Sequence, residues 1–216
     1  MRLEQGAIVR NTYTVDTLLG SGCFADVYLV RHRFLGMQAM KVFREPTLEG
    51  GTDALREAFL LSRFGHPHIV RVFEANVLDA AFGGNEFLTM EYVAGSTLLD
   101  YASERTLSIR RVLEIACQVC EAVAQAHAQT PPVVHRDIKP QNVLVEPGEG
   151  TPHVKLADFG FALPVGRGTI TGSTAGTLAY MAPETLDGTG TTASDVWSLG
   201  ILTYELLTGQ IGRAHV

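Results

Sequence analysis

Apolar and polar residues alternate loosely over residues 13–20, and strand formers gather again in Val27-Tyr28-Leu29-Val30, with Gly20-Ser21-Gly22-Cys23-Phe24-Ala25-Asp26 between them. This predicts strand, glycine turn, strand. Met37-Gln38-Ala39-Met40-Lys41-Val42-Phe43 predicts a third strand, with Ala39 and Lys41 on one face because side chains alternate. Thr52 or Asp53 then caps a predicted helix running to about residue 64, with Glu57 one turn in. Two more strands are predicted at 69–74 and 86–93, joined by a loop containing Gly83-Gly84. Ser108 caps the longest helical pattern, in which Ile109, Val112, Leu113, Ala116, Val119, Cys120, Val123 and His127 recur at steps of three and four until Pro131-Pro132. Residues 143–145 and 153–156 flank a turn-rich stretch and read as a hairpin, and 195–207 reads as an apolar, buried helix.

Composition narrows the class. In 216 residues, 46% are hydrophobic, enough for a substantial core. A net charge of −6 without a basic block argues against a nucleic-acid or charged-membrane surface. The chain lacks an apolar run of spanning length or a signal peptide, so a cytoplasmic domain without a membrane segment is expected. Cys23, Cys117 and Cys120 make no disulfide framework, and Cys117 and Cys120 are expected to pack within the long helix. His66, His68 and His127 read as satisfied structural residues rather than ligands. Of 17 basic residues only Lys41, Lys139 and Lys155 are lysine, so two of the three scarce point charges fall in candidate motifs.

The chemistry concentrates in His135-Arg136-Asp137-Ile138-Lys139-Pro140-Gln141-Asn142. A carboxylate can orient a hydroxyl and take its proton, an ammonium can face phosphate oxygens, and an amide oxygen can help hold Mg²⁺. Asp158-Phe159-Gly160, at the end of the hairpin, adds a turn former or a second metal ligand. Lys41 is either an edge gatekeeper or a buried charge with a partner, and Glu57 is available as that partner. The glycine turn suits close approach to phosphates. No helix follows it, against a dinucleotide fingerprint, and no Gly-Lys-Ser/Thr follows, against a nucleotide P-loop.

In this order and spacing, the motifs resemble those of the eukaryotic-like, bacterial-type Ser/Thr protein kinases over about residues 11–210. The resemblance implies an α+β, two-lobed fold: a small five-stranded antiparallel sheet plus a helix (11–92), then a larger, mainly helical lobe (93–210) that is incomplete. It implies ATP and Mg²⁺ as cofactors and proteins as substrates. By that likeness Leu19, Gly20, Ser21, Gly22, Cys23, Phe24, Ala25 and Val27 cover the ATP phosphates, and Lys41, paired with Glu57, contacts them. Ala39 and Leu144 sandwich adenine beside Met90, Glu91 and Val93. Asp137 orients the substrate hydroxyl, Lys139 steadies the γ-phosphate and marks Ser/Thr specificity, and Asn142 and Asp158 hold Mg²⁺. His135 is scaffold.

Ala25 departs from the family's third glycine, and Phe161 from its usual leucine or similar apolar residue, a change read as packing only. Arg136 before the catalytic aspartate implies control by phosphorylation, with Thr169 and Thr171 the expected autophosphorylation sites in a transient homodimer, and Ser173 and Thr174 second choices. Thr177 resembles a substrate-binding threonine. Ile211-Gly212-Arg213-Ala214-His215-Val216 resembles nothing at that point of the family, and one back-translation of it reads as a sequencing adapter. Native sequence is therefore expected to end at Gln210, leaving Glu184 without its arginine and one face of the 195–207 helix without cover. A pseudokinase scaffold is the first alternative, weakened by the presence of Lys41, Glu57, Asp137, Asn142 and Asp158. A small-molecule phosphotransferase is the second, weakened by Lys139, Thr177 and Ala182-Pro183-Glu184.

Overall fold

The computed structural model describes residues 2–22, 25–44, 65–146, 148, 150–159, 163–164, 178–187 and 190–210. The chain forms two compact units, Met1–Arg63 with Arg71–Tyr92, and Phe64–Val70 with Val93–Val216.

The first unit is an antiparallel sheet in the order β1-β2-β3-β4-β6-β5. Its strands are β1 (Ile8–Val9), β2 (Tyr13–Ser21), β3 (Ala25–His32), β4 (Gly36–Phe43), β5 (Val72–Val77) and β6 (Glu86–Glu91). The five anticipated strands are joined by β1, whose two residues are too short to register as a periodic pattern. β5 starts three residues later than the alternation suggested, because Ile69 and Val70 serve the other unit. Ile69 bridges Leu156, and the Val70 N–H donates to the Leu156 carbonyl at 2.9 Å. The helix anticipated near 52–64 lies outside the described residues.

Register gives the sheet two differently used faces. Tyr28 opposite Met40, Val15 opposite Val30 and Val42 opposite Phe87 put large apolar groups on one face. There they form a buried cluster with Leu3, Val9 and Tyr13. Tyr13 stands edge-on to Phe87 and donates its hydroxyl to Glu74 at 2.5 Å. Burial, reinforced by Glu74, pushes that phenol up to about 12. The opposite face carries Val27 beside Lys41, Leu29 beside Ala39, and Ala39 beside Met90.

The second unit is mainly helical: α1 (Leu98–Ser103), α2 (Ile109–His127) and α3 (Thr192–Thr208). Two small sheets accompany them, β7 (Ser96–Thr97) with β9 (Val143–Glu146) and β10 (His153–Leu156), and β8 (Val133–Val134) with β11 (Leu163–Pro164). The anticipated hairpin is β9–β10. Gly95 leads into β7, and a Cβ there would stand 1.9 Å from the Val145 carbonyl oxygen, so only glycine allows this strand to approach β9. Thr97 and Ser108 cap α1 and α2, each accepting a backbone N–H three residues on.

The packing corrects two sequence expectations. α2 buries Val112, Ile115, Ala116, Val119, Ala122, Val123 and Ala126, whereas Ile109 and Leu113 stand exposed at 69% and 51%. Both Cys117 and Cys120 are exposed rather than packed. The helix packs against both α3 and β10, which turns its buried face toward Ile115 and Ala122. Helix α3 is not buried all round either. Asp195, Ser198, Leu202 and Leu206 pack inward, while Val196, Trp197, Tyr204 and Leu207 face solvent. Among the described residues, no helix is long and apolar enough to cross a membrane.

Candidate active site

The residues leading to Asp137 emerge from β8, whose two valines are buried. Asp195 on α3, 1% exposed, fixes the loop that begins there. It accepts the backbone N–H groups of His135 and Arg136, both at 2.8 Å, and meets His127 Nε2 at 2.7 Å. One buried carboxylate thus ties the end of α2, the start of α3 and the loop together, and its charge is met by three polar partners. His127 is the structural residue anticipated. Asp195 was missed as a site residue, since an acid in the first turn of an apolar helix also reads as a favourable dipole contact.

His135 is also structural. Its Nδ1 accepts the Asp137 N–H at 3.2 Å, its Nε2 donates to the Ala157 carbonyl at 3.0 Å, and its ring lies 4.4 Å from that of Phe159. It locks the 135–137 segment to the 157–159 segment. Arg136 and Asp158 both adopt left-handed backbone, at φ 67° and 64°. For residues other than glycine this costs on the order of 1–3 kcal/mol each and persists only where surroundings impose it. Gly190 packs on the Arg136 side chain so closely that a Cβ would lie 2.8 Å from Nε. Burial lowers the guanidinium's pKa, opposed by the charge of Asp195.

Asp137 is 6% exposed. Its Oδ2 receives Lys139 Nζ at 2.8 Å and Asn142 Nδ2 at 2.8 Å. Asn142 Nδ2 also donates to the Asp137 carbonyl at 2.7 Å, which commits its amide nitrogen and leaves the amide oxygen as the end able to meet a cation. The other carboxylate oxygen, Asp137 Oδ1, is buried and has no hydrogen-bond partner among the described residues. Such an oxygen is costly, and its natural complement is a hydroxyl donor. Asn142 sits in a short 3₁₀ turn, Pro140–Asn142, and its carbonyl accepts the Ala157 N–H at 2.8 Å, so it is hydrogen-bonded to the residue before Asp158.

The second unit therefore assembles Asp137, Lys139, Asn142 and Asp158, with half-buried Leu144 just beyond on β9 and buried Val93 ahead of β7. The first unit gathers Val27, Ala39, Lys41 and Met90 on one sheet face, with Glu91 ending β6. Lys41 Nζ lies 5.3 Å from the Phe43 ring centre. Leu19, Gly20, Ser21 and Gly22 lie exposed on one arm of the glycine hairpin, and Ala25 starts the other. Cys23, Phe24, Glu57, Phe161, Thr169, Thr171, Ser173, Thr174, Thr177 and the 211–216 tail lie outside the described residues. Glu184, anticipated to lack its arginine, accepts a hydrogen bond from Ser194 Oγ at 2.9 Å. Among the described residues no three His, Cys, Asp or Glu side chains gather as a cation site. A Mg²⁺ held by Asn142 and Asp158 would take its remaining ligands from phosphates and water, as that ion commonly does.

A family model described as the protein kinase domain matches residues 13–213. A probable serine/threonine-protein kinase PknB of Lactococcus lactis is 34% identical over 97% of this chain and 33% of its own length. The serine/threonine-protein kinase PrkC of Bacillus subtilis is 34% identical over 95% of this chain and 32% of its own. The crystal structure of the Mycobacterium tuberculosis PknI kinase domain superposes with a TM-score of 0.74 at 29% identity, covering 96% of this chain and 78% of that one. The chain belongs to the protein kinase domain family. Within that family it is of the bacterial-type Ser/Thr kind, and it spans about a third of the length of these curated relatives.

Proposed function

We propose that the protein transfers the γ-phosphoryl group of ATP, in the presence of Mg²⁺, to serine and threonine hydroxyls of protein substrates. The observation that carries this reading is the buried Oδ1 of Asp137, without a hydrogen-bond partner among the described residues, on a carboxylate whose other oxygen is already occupied by Lys139 and Asn142. A substrate hydroxyl donating to Oδ1 is oriented for attack and can pass its proton to the carboxylate as the new P–O bond forms and the bond from the γ-phosphorus to the bridging oxygen breaks, with ADP leaving. Lys139, 18% exposed at its side chain, is placed beside the acid to offset negative charge on the transferred group. The amide oxygen of Asn142 and the carboxylate of Asp158 suit Mg²⁺, which supplies charge neutralisation at the phosphates.

On the sheet unit, the face bearing Val27, Ala39 and Met90 offers apolar cover for adenine, and Lys41 offers a cation for the α- and β-phosphates, with Glu57 as its partner. Thr169 and Thr171 are the proposed autophosphorylation sites, modified in a transient pair of copies. Incubation with Mg·ATP and a protein acceptor, followed by mass spectrometry, tests the reading. The expected product is phosphoserine or phosphothreonine, lost when EDTA removes the metal. Phosphate found only on a small-molecule hydroxyl, or no transfer from a protein that binds Mg·ATP, overturns it in favour of a phosphotransferase or a scaffold.

A further inference from the structure

The mouth of the glycine hairpin is tied by a polar cluster that the phosphoryl-transfer reading does not use. Ser21, at the end of β2, donates its hydroxyl to Asp26 Oδ1 at 2.6 Å across the hairpin. Arg44, one residue past β4, donates from one guanidinium nitrogen to both Asp26 Oδ1 and Ser21 Oγ, each at 2.6 Å. Arg2 reaches the same hydroxyl at 3.1 Å. The backbone of Arg44 is itself held, because Asn85 Nδ2 donates to the carbonyls of Phe43 and Arg44 at 2.8 and 2.9 Å. Asp26 is only 5% exposed, so this is a built contact and not a surface encounter.

Two further facts define what the cluster can do. The Gly22 N–H donates to the Ala25 carbonyl at 2.9 Å, closing the hairpin immediately beyond the Ser21–Asp26 pair. In register Asp26 faces Val42, on the sheet face opposite Val27 and Lys41. The cluster therefore cannot touch a nucleotide lying against the Lys41 face. It acts through the backbone of the loop that it anchors.

We propose that Asp26 and Arg44 are positioning residues which hold the glycine hairpin in the conformation that accepts ATP phosphates. The proposal rests on the nucleotide-binding reading of the sheet unit. Removing either partner breaks the Asp26–Arg44 contact that ties the hairpin mouth to the end of β4, so the binding-competent loop becomes a smaller share of the ensemble. Apparent affinity falls by that share.

The test is Mg·ATP titration by calorimetry of the full chain and its Asp26→Asn, Arg44→Gln, Arg44→Lys and doubly substituted Asp26→Asn/Arg44→Gln variants. Circular dichroism melts are taken in parallel. Each neutralising single substitution is expected to weaken binding about 3- to 10-fold, a shift typical of a lost population bias. The double variant is expected to lose clearly less than the product of the two single losses, since both singles remove the shared Asp26–Arg44 contact, and Arg44→Lys is expected to fall between the unsubstituted chain and Arg44→Gln. Melting data separate this from a structural role, which would lower the melting temperature while leaving the affinity of the folded protein unchanged. Equal affinity across all variants, or multiplicative losses in the double, overturns the proposal. Failure of the unsubstituted chain to bind Mg·ATP overturns the nucleotide-binding reading itself.

Discussion

The loop around Asp137 and the glycine hairpin are both candidate parts of the phosphoryl-transfer machinery, yet they are held in opposite ways. Residues 135–137 are hydrogen-bonded to the side chains of Asp195, His135 and Asn142, all buried, and Arg136 among them adopts left-handed backbone. The glycine hairpin presents exposed Leu19, Gly20, Ser21 and Gly22, and its anchoring Arg44 has a side chain 41% exposed. The difference matches the work proposed for each. A group that must meet a reacting proton gains from preorganisation in a dry setting. A loop that covers a ligand must open, and it is drawn from the less stable parts of a fold.

Asp195→Ala tests the contrast with the largest expected effect on stability. It strands the buried His135 N–H, the half-buried Arg136 N–H and His127, at a cost of about 3–5 kcal/mol by analogy with broken buried networks, read as a drop in denaturation midpoint. If Asp26→Asn costs as much as Asp195→Ala, the claimed asymmetry between loop and hairpin fails. Packing beneath the loop comes next. Ile115→Ala, on the face of α2 turned to α3 and β10, should cost about 2–5 kcal/mol, whereas Ile109→Ser on the exposed face should stay within about 0.5 kcal/mol. Equal losses in urea titrations would restore the helix register anticipated from sequence.

The smallest effects are electrostatic. The Arg44 hydrogen bond holds the Asp26 carboxyl below its ordinary value of 3.8, with burial opposing and Ser21 assisting. A lowered folded-state value means the contribution is present above the unfolded value and disappears as pH falls through the folded one. Acid titration of stability should therefore lose a component below about pH 4 that is missing in Asp26→Asn. Tyr13 has the opposite sign. Its raised pKa keeps the hydroxyl protonated in the fold, so its stabilisation is complete below about pH 10 and lost toward about pH 12. Tyr13→Phe should flatten that alkaline decline.

Much of this arrangement was legible in the sequence because the chemistry lies in contiguous motifs. Asp137, Lys139 and Asn142 share one short stretch, and Pro140 excluded ordinary helix there. The strand register of Ala39 and Lys41 followed from alternation alone. The parts that stayed hidden depended on packing between distant segments. Asp195 is 60 and 59 residues from the two N–H groups that it binds, and no local pattern distinguishes it from a solvated first-turn acid. The rotation of α2 was hidden for a similar reason. Apolar residues at steps of three and four outline a stripe wider than one contact, and only the presence of both α3 and β10 decides which edge is buried. The start of β5 moved because Ile69 and Val70 pair with Leu156 in the other unit.

Asp137 Oδ1, without a hydrogen-bond partner among the described residues, is the oxygen proposed to receive a substrate hydroxyl. Asp137→Asn keeps the shape, and the amide can still contact Asn142 and Lys139 through its oxygen, but it cannot take the proton. Measured with Mg·ATP and a protein acceptor, the phosphoryl-transfer rate of Asp137→Asn should fall about 10²–10⁴-fold, the range for loss of a general base, while Mg·ATP affinity stays within about twofold. A variant that binds Mg·ATP normally and transfers phosphate as fast as the unsubstituted protein would contradict the account.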